Sequence, residues 1–177
     1  MKTYLHLKHN QLARRAAILA VAVVTLGLGS FSPTQGLDSP PRPPGYQTAT
    51  GDFNDIVSDV YTDVGYIGDV FVQREDLVFN YAGDITGTAT DVNYLFYNPD
   101  GSFNSAATEV CTGCTIGGRT GSFTARYVIQ GNSFSDYTGY LVFTGGTGGL
   151  AGLRGFGTFG YDGVTTFYTY YYTFARR

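Results

Sequence analysis

Few side chains in this chain have both the chemistry and the setting to act on a ligand. On the run Asp69–Tyr81 (DVFVQREDLVFNY), alternation puts Phe71, Gln73, Glu75, Leu77 and Phe79 on one face. Turned inward, that face sets Gln73 and Glu75 among aromatic and apolar neighbours. Desolvation there raises a carboxyl pKa and would suit Glu75 to general acid or base work. Turned outward, the same face leaves Glu75 solvated and without a role. Asp91 and Asn93 share a face with Ile85, Ala89 and Leu95, and Glu109 shares one with Cys111 and Gly113. Glu75 and Asp91 are therefore the candidate catalytic groups, and Gln73, Asn93, Glu109 and Tyr127 the candidate ligand-binding groups.

The other chemistry-bearing patterns have plainer readings. Cys111 and Cys114 have CxxC spacing. In a regular strand they stand about 10 Å apart, beyond the roughly 7 Å limit for a bridge, and on opposite faces. A disulfide therefore requires a bend at Thr112-Gly113, such as a bulge, and a redox pair is the alternative. The glycine cluster Gly145–Gly152 lacks the Gly-Lys-Ser/Thr ending of a phosphate loop, so it reads as a tight corner and no cofactor is expected. Asp52, Asp55, Asp59 and Asp63 lack the spacing of a calcium loop and read as a solvated face, with no metal expected. Arg119, Arg126 and Arg154 read as partners for acids at the surface or around a barrel mouth.

The chain that carries these residues has two unlike parts. Residues 1–15 hold Lys2, Lys8, Arg14 and Arg15 and no acid; Ala16 to Leu28 is mostly apolar, and Gly29 to Gly36 is small and polar. That order predicts a secretory signal over residues 1–36 and a secreted, periplasmic or cell-envelope protein. The apolar run spans about 20 Å as a helix, short of the roughly 30 Å hydrocarbon core, so no permanent membrane span is expected after cleavage. His6 and His9 leave with the signal, which excludes a Ser-His-Asp triad, a Cys-His pair and histidine-ligated zinc. Four of the eleven basic residues leave too, so seven arginines face all fourteen acids. A lysine-free, acidic remainder of this kind excludes nucleic-acid binding, which depends on neutralising phosphates.

Beyond a proline-rich tether, residues 37–45, composition is uniform from Tyr46 onward, which fits one domain over 46–177. Thr, Tyr, Phe and Val abound, and glycine recurs at short intervals, the mixture of a pleated sheet with tight turns. Runs read as strands end at Ala82-Gly83, Asn98-Pro99-Asp100-Gly101, Gly117-Gly118, Gly131-Asn132, Gly145–Gly152 and Asp162-Gly163. With one more strand near Phe53–Tyr61, about eight consecutive antiparallel strands predict an all-β, small, closed up-and-down barrel; a two-sheet sandwich is the alternative. Phe53, Ile56, Val57, Val60, Tyr61 and Val64 recur at helical spacing, but β-branched, Asp and Asn residues are poor helix formers, which favours an irregular strand. The closing run Phe167–Phe174 has rings on both faces. Its outer rings therefore suit contact with a partner subunit in a homo-oligomer, a ligand-bearing rim or a cell envelope.

GCTIGGRTGSF (Gly113 to Phe123), GGTGGLAGLRGFGTF (Gly145 to Phe159), GDITGTAT (Gly83 to Thr90) and the Pro99-Asp100-Gly101 turn together resemble bacterial allene oxide cyclase barrel-like domains. These are dirigent- and calycin-like barrels, many of unknown function. The resemblance runs from Phe53 to Phe174. It implies an eight-stranded barrel whose lumen binds a small hydrophobic or aromatic molecule. It also implies, as a second possibility, a cyclase or isomerase that works by shaping a reactive substrate. The catalytic motif of the plant enzymes is missing, so the resemblance carries no catalytic residue across.

Overall fold

A computed structural model describes residues 40–161 and 163–175. The expected signal, residues 1–36, and the start of the tether lie outside the described residues. Within them, eight strands follow one another: β1 (Gln47–Ile67), β2 (Val70–Gly83), β3 (Ile85–Tyr97), β4 (Phe103–Ile116), β5 (Arg119–Ser133), β6 (Asp136–Gly148), β7 (Leu153–Tyr161) and β8 (Thr166–Phe174). Each pairs antiparallel with the next, and β8 returns to β1 to close an up-and-down barrel rather than a sandwich.

The turns follow from their residues. Gly117 and Gly118 both have positive φ, +57° and +73°, as a two-residue hairpin with the twist of its strands requires. At the β3–β4 connection, Asp100 accepts from the backbone N–H and hydroxyl of Ser102 at 3.0 and 2.7 Å, which fixes the Pro-Asp-Gly turn.

β1 is longer than its expected core and carries register shifts at Asp52/Asp55, Ile56/Ser58 and Asp63/Gly65. Each shift adds a residue, so Phe53, Ile56, Asp59 and Tyr61 all border the same interior space although their spacing is three, three and two. Bulges in a strand thus account for the helix-like period. Beyond Asn54 β1 pairs with β2 alone, because its pairing with β8 is confined to Gln47–Gly51 against Tyr168–Tyr172.

The barrel is packed at the end that carries the β2–β3, β4–β5 and β6–β7 turns, where Ile85, Ile116, Leu150 and Leu153 are buried. Leu150 comes from the glycine-rich corner. Gly155 and Gly157 on β7 face inward, and a Cβ on Gly157 would meet the Thr169 carbonyl and the Tyr170 ring. Their bareness lets rings from β6 and β8 lie against the β7 backbone. Outside, Tyr171 is covered by Phe156, which also adjoins Tyr46 and Tyr140, so the rings of β8 pack on both faces. Arg119, expected to meet an acid, stands 4.0 Å over the Phe174 ring.

Candidate functional site

Toward the other end the interior is not filled. A cavity of about 200 Å³ opens there, and its apolar wall includes Phe53, Phe79, Leu95, Tyr127, Leu141 and Phe159. Rings meet edge-on or tilted around it: Phe53 lies 5.3 Å from Phe79 and 5.8 Å from Phe159, and Tyr127 lies 5.2 Å from Phe159. Ala89, Ala107 and Ala125 are buried on the inward faces of β3, β4 and β5.

Polar groups enter the cavity from adjacent strands because the register aligns them. Glu75 on β2 opposes Asn93 on β3, and Asp91 on β3 opposes Glu109 on β4. On β3 the inward face is the polar one: Asp91 and Asn93 are buried, while Val92 and Tyr94 face water. Glu75 also points inward, so the solvated alternative for it does not hold; the residue is 8 % exposed.

Each carboxylate has a tyrosine hydroxyl or an amide donating to it. Tyr61 donates to Glu75 Oε1 at 2.7 Å and the Asn93 amide to Oε2 at 2.8 Å. Tyr127 donates to Asp91 Oδ2 at 2.6 Å, and Tyr81 to Glu109 Oε1 at 2.9 Å. Two acceptors in the same wall, Asp91 Oδ1 and Asn93 Oδ1, are buried with no partner.

Electrostatics follow from that burial. Desolvation pushes the Asp91 carboxyl up to about 7; the Tyr127 hydroxyl opposes the rise and the Glu75 charge adds to it. Glu109 is held well above the usual carboxyl range by burial and then by the Asp91 charge, against the Tyr81 hydrogen bond. Glu75 is raised by burial, with the bonds from Tyr61 and Asn93 pulling it back. Two opposed carboxyls, one titrating near neutrality, can hold and move a proton.

Of the residues singled out from sequence, Glu75, Asp91, Asn93, Glu109 and Tyr127 come together around this cavity. Gln73 does not line it; its amide donates to Asp63 at 2.8 Å on an exposed stretch. Cys111 and Cys114 are joined in a buried disulfide with Cα atoms 5.9 Å apart. The bend that this pairing needs is supplied by a register shift between them and by Gly113 at φ +70°. Tyr61 and Tyr81 were not singled out. Tyr81 lies on the same alternating face as Glu75, whereas Tyr61 reaches Glu75 only through a register with three shifts.

No curated protein matches the chain. The fold is similar to that of a crystal structure from Shewanella oneidensis MR-1, a protein with unknown function from the DUF3224 family, at 22 % identity and a TM-score of 0.61, covering 74 % of this chain and 99 % of that one. The model of the same family, "Protein of unknown function (DUF3224)", matches residues 50–172, nearly the whole barrel. The chain belongs to the DUF3224 family.

Proposed function

We propose that this is an exported, allene oxide cyclase-like barrel that binds one small hydrophobic or aromatic molecule in its lumen. The observation that carries the reading is the ring-walled cavity of about 200 Å³. It exceeds the roughly 150 Å³ engineered cavity that takes benzene and falls short of the roughly 300–1,000 Å³ of sites for drug-sized ligands. A single substituted ring is the right size. Export is supported by the basic, apolar, then small and polar order of residues 1–36 and agrees with a disulfide, which persists in oxidising compartments. Native mass spectrometry of the protein purified from its own host tests the binding. A retained small organic mass is expected, and Leu141→Trp, which fills the lumen, should lose it. A bare protein mass, together with no response of lumen residues to any single-ring compound, would sink the reading.

A second reading is catalytic. It is favoured by Asp91, which titrates near neutrality opposite Glu109 and beside the Tyr127 hydroxyl, a setting suited to proton transfer in an isomerisation or cyclisation. On this reading Asp91→Asn keeps the bound molecule and stops its conversion. Conversion that continues in the variant removes Asp91 from the chemistry.

A further inference from the structure

Which kind of small molecule the lumen takes is written in what its wall lacks. Resting on the lumen-binding reading above, we infer that the ligand is a cation: an ammonium group carried on an aromatic or apolar body, with the ammonium at Asp91 and Asn93.

The wall carries Asp59, Glu75, Asp91 and Glu109, and among the described residues no Lys, Arg or His lines it. Arg74–Asp76, the ion pair found among the described residues, is half-exposed and does not involve these carboxyls. An anionic ligand would meet carboxyl groups from four strands, β1 to β4. The donors beside the acids are already engaged, since the Tyr61, Tyr81 and Tyr127 hydroxyls and the Asn93 amide all serve carboxylate oxygens. Among the described residues two buried acceptors beside them have no partner: Asp91 Oδ1 on a residue 4 % exposed, and Asn93 Oδ1 on a residue 1 % exposed. The two residues are next-but-one on β3 and point the same way, about 7 Å apart along the strand. A neutral apolar ligand would leave both acceptors dry, at a cost of about 1–3 kcal/mol each, whereas an ammonium has several N–H groups to give.

A metal ion fits less well, because among the described residues no three His, Cys, Asp or Glu side chains are placed to hold one. The wall instead offers aromatic rings from Phe53, Tyr127 and Phe159, whose faces attract an organic cation and whose bulk buries its body. Water can also satisfy the open acceptors. The test must therefore compare ligands of one shape and different charge.

Benzylammonium, benzyl alcohol and benzoate share a ring and differ at the polar end. Calorimetric titration of the full chain at about pH 8, where Asp91 is ionised, separates them. Benzylammonium should bind at least about tenfold tighter than benzyl alcohol, as a charge-assisted hydrogen bond predicts, and benzoate should not bind. Asp91→Asn should remove that advantage and leave benzyl alcohol within about twofold. Equal or tighter binding of benzyl alcohol or benzoate, or an ammonium affinity untouched by Asp91→Asn, overturns the cation and leaves lumen binding standing. Failure of all three probes overturns both. The three-probe comparison on the unaltered chain decides even where the variant does not fold.

Discussion

Asp91 and Glu109 face each other across β3 and β4 inside a wall that, among the described residues, has no compensating cation, and that arrangement sets how stability responds to pH. The folded-state pKa of Asp91 is raised from 3.8 to about 7, and Glu109 and Glu75 are raised as well. Between about pH 4 and 7 the folded state therefore holds more protons than the unfolded chain. The stability that protonation contributes is complete below the unfolded values and is lost as pH rises through the folded ones. Urea midpoints should fall from pH 5 to pH 8, with the unfolding free energy dropping by about a few kcal/mol for Asp91. Asp91→Asn, which keeps an acceptor for Tyr127, should flatten the slope and be the more stable protein at pH 8. A midpoint that rises over this range would contradict the burial of these carboxyls. Tyr81→Phe tests the neighbouring bond: it leaves Glu109 Oε1 without its donor and should cost about 1–3 kcal/mol in chemical denaturation. At this scale alternation in the sequence groups Asp91 with Asn93 and Glu75 with Leu77 and Phe79. It does not say which face is inward. The usual rule, polar outside, points the wrong way on β3, because Val92 and Tyr94 are the exposed set. Tyr61 was invisible because each bulge in β1 shifts the facing set by one residue.

Among the elements, the turns were the most legible part, since Gly117-Gly118 and Pro99-Asp100-Gly101 each demand a local geometry that a strand cannot supply. Strand existence followed from the runs between them. Strand length in β1 did not, because its last dozen residues alternate imperfectly and owe their conformation to β2. Two of the glycines inside β6 and β7 depend on tertiary structure, as each is matched to a ring on a neighbouring strand that sequence does not place. Gly139 lies against Phe159 and Gly157 against Tyr170. Gly157→Ala would push Cβ into the Thr169 carbonyl and the Tyr170 ring, and should cost about 1–3 kcal/mol, read as a drop in the thermal midpoint. A neutral Gly157→Ala would mean that β7 and β8 are further apart than described. The disulfide closes so short a loop within β4 that it constrains the unfolded chain weakly. The Cys111→Ala, Cys114→Ala pair should lose only about 2 kcal/mol and keep its circular dichroism spectrum.

For the whole molecule, closure rests on a short seam. β1 meets β8 only over Gln47–Gly51, and Asn54 continues the junction by accepting from the Thr166 backbone N–H at 2.9 Å and its hydroxyl at 2.8 Å. From Asp55 to Ile67 the strand has β2 on one side, while Ile56, Val57, Val60, Val64, Tyr66 and Ile67 remain exposed. Edges of this kind invite pairing with another chain, and Asp55, Asp59 and Asp63 along the same strand oppose it by charge. The barrel therefore has one free margin next to the mouth of its cavity, where Ile56, Asp59 and Tyr61 border the opening. Hydrogen exchange reads this arrangement directly. The amide of Ala49, buried in the pairing with β8, should exchange with the slow core, whereas alternate amides over residues 56–67, those turned away from β2, should exchange orders of magnitude faster. Val60→Lys, at a position 53 % exposed, should shift stability by no more than about 0.5 kcal/mol. Slow exchange over the whole of residues 56–67, with a large cost for Val60→Lys, would mean instead that something covers this margin. Faster exchange there than at the seam would leave it open, with the cavity mouth beside the most readily opened strand of the barrel.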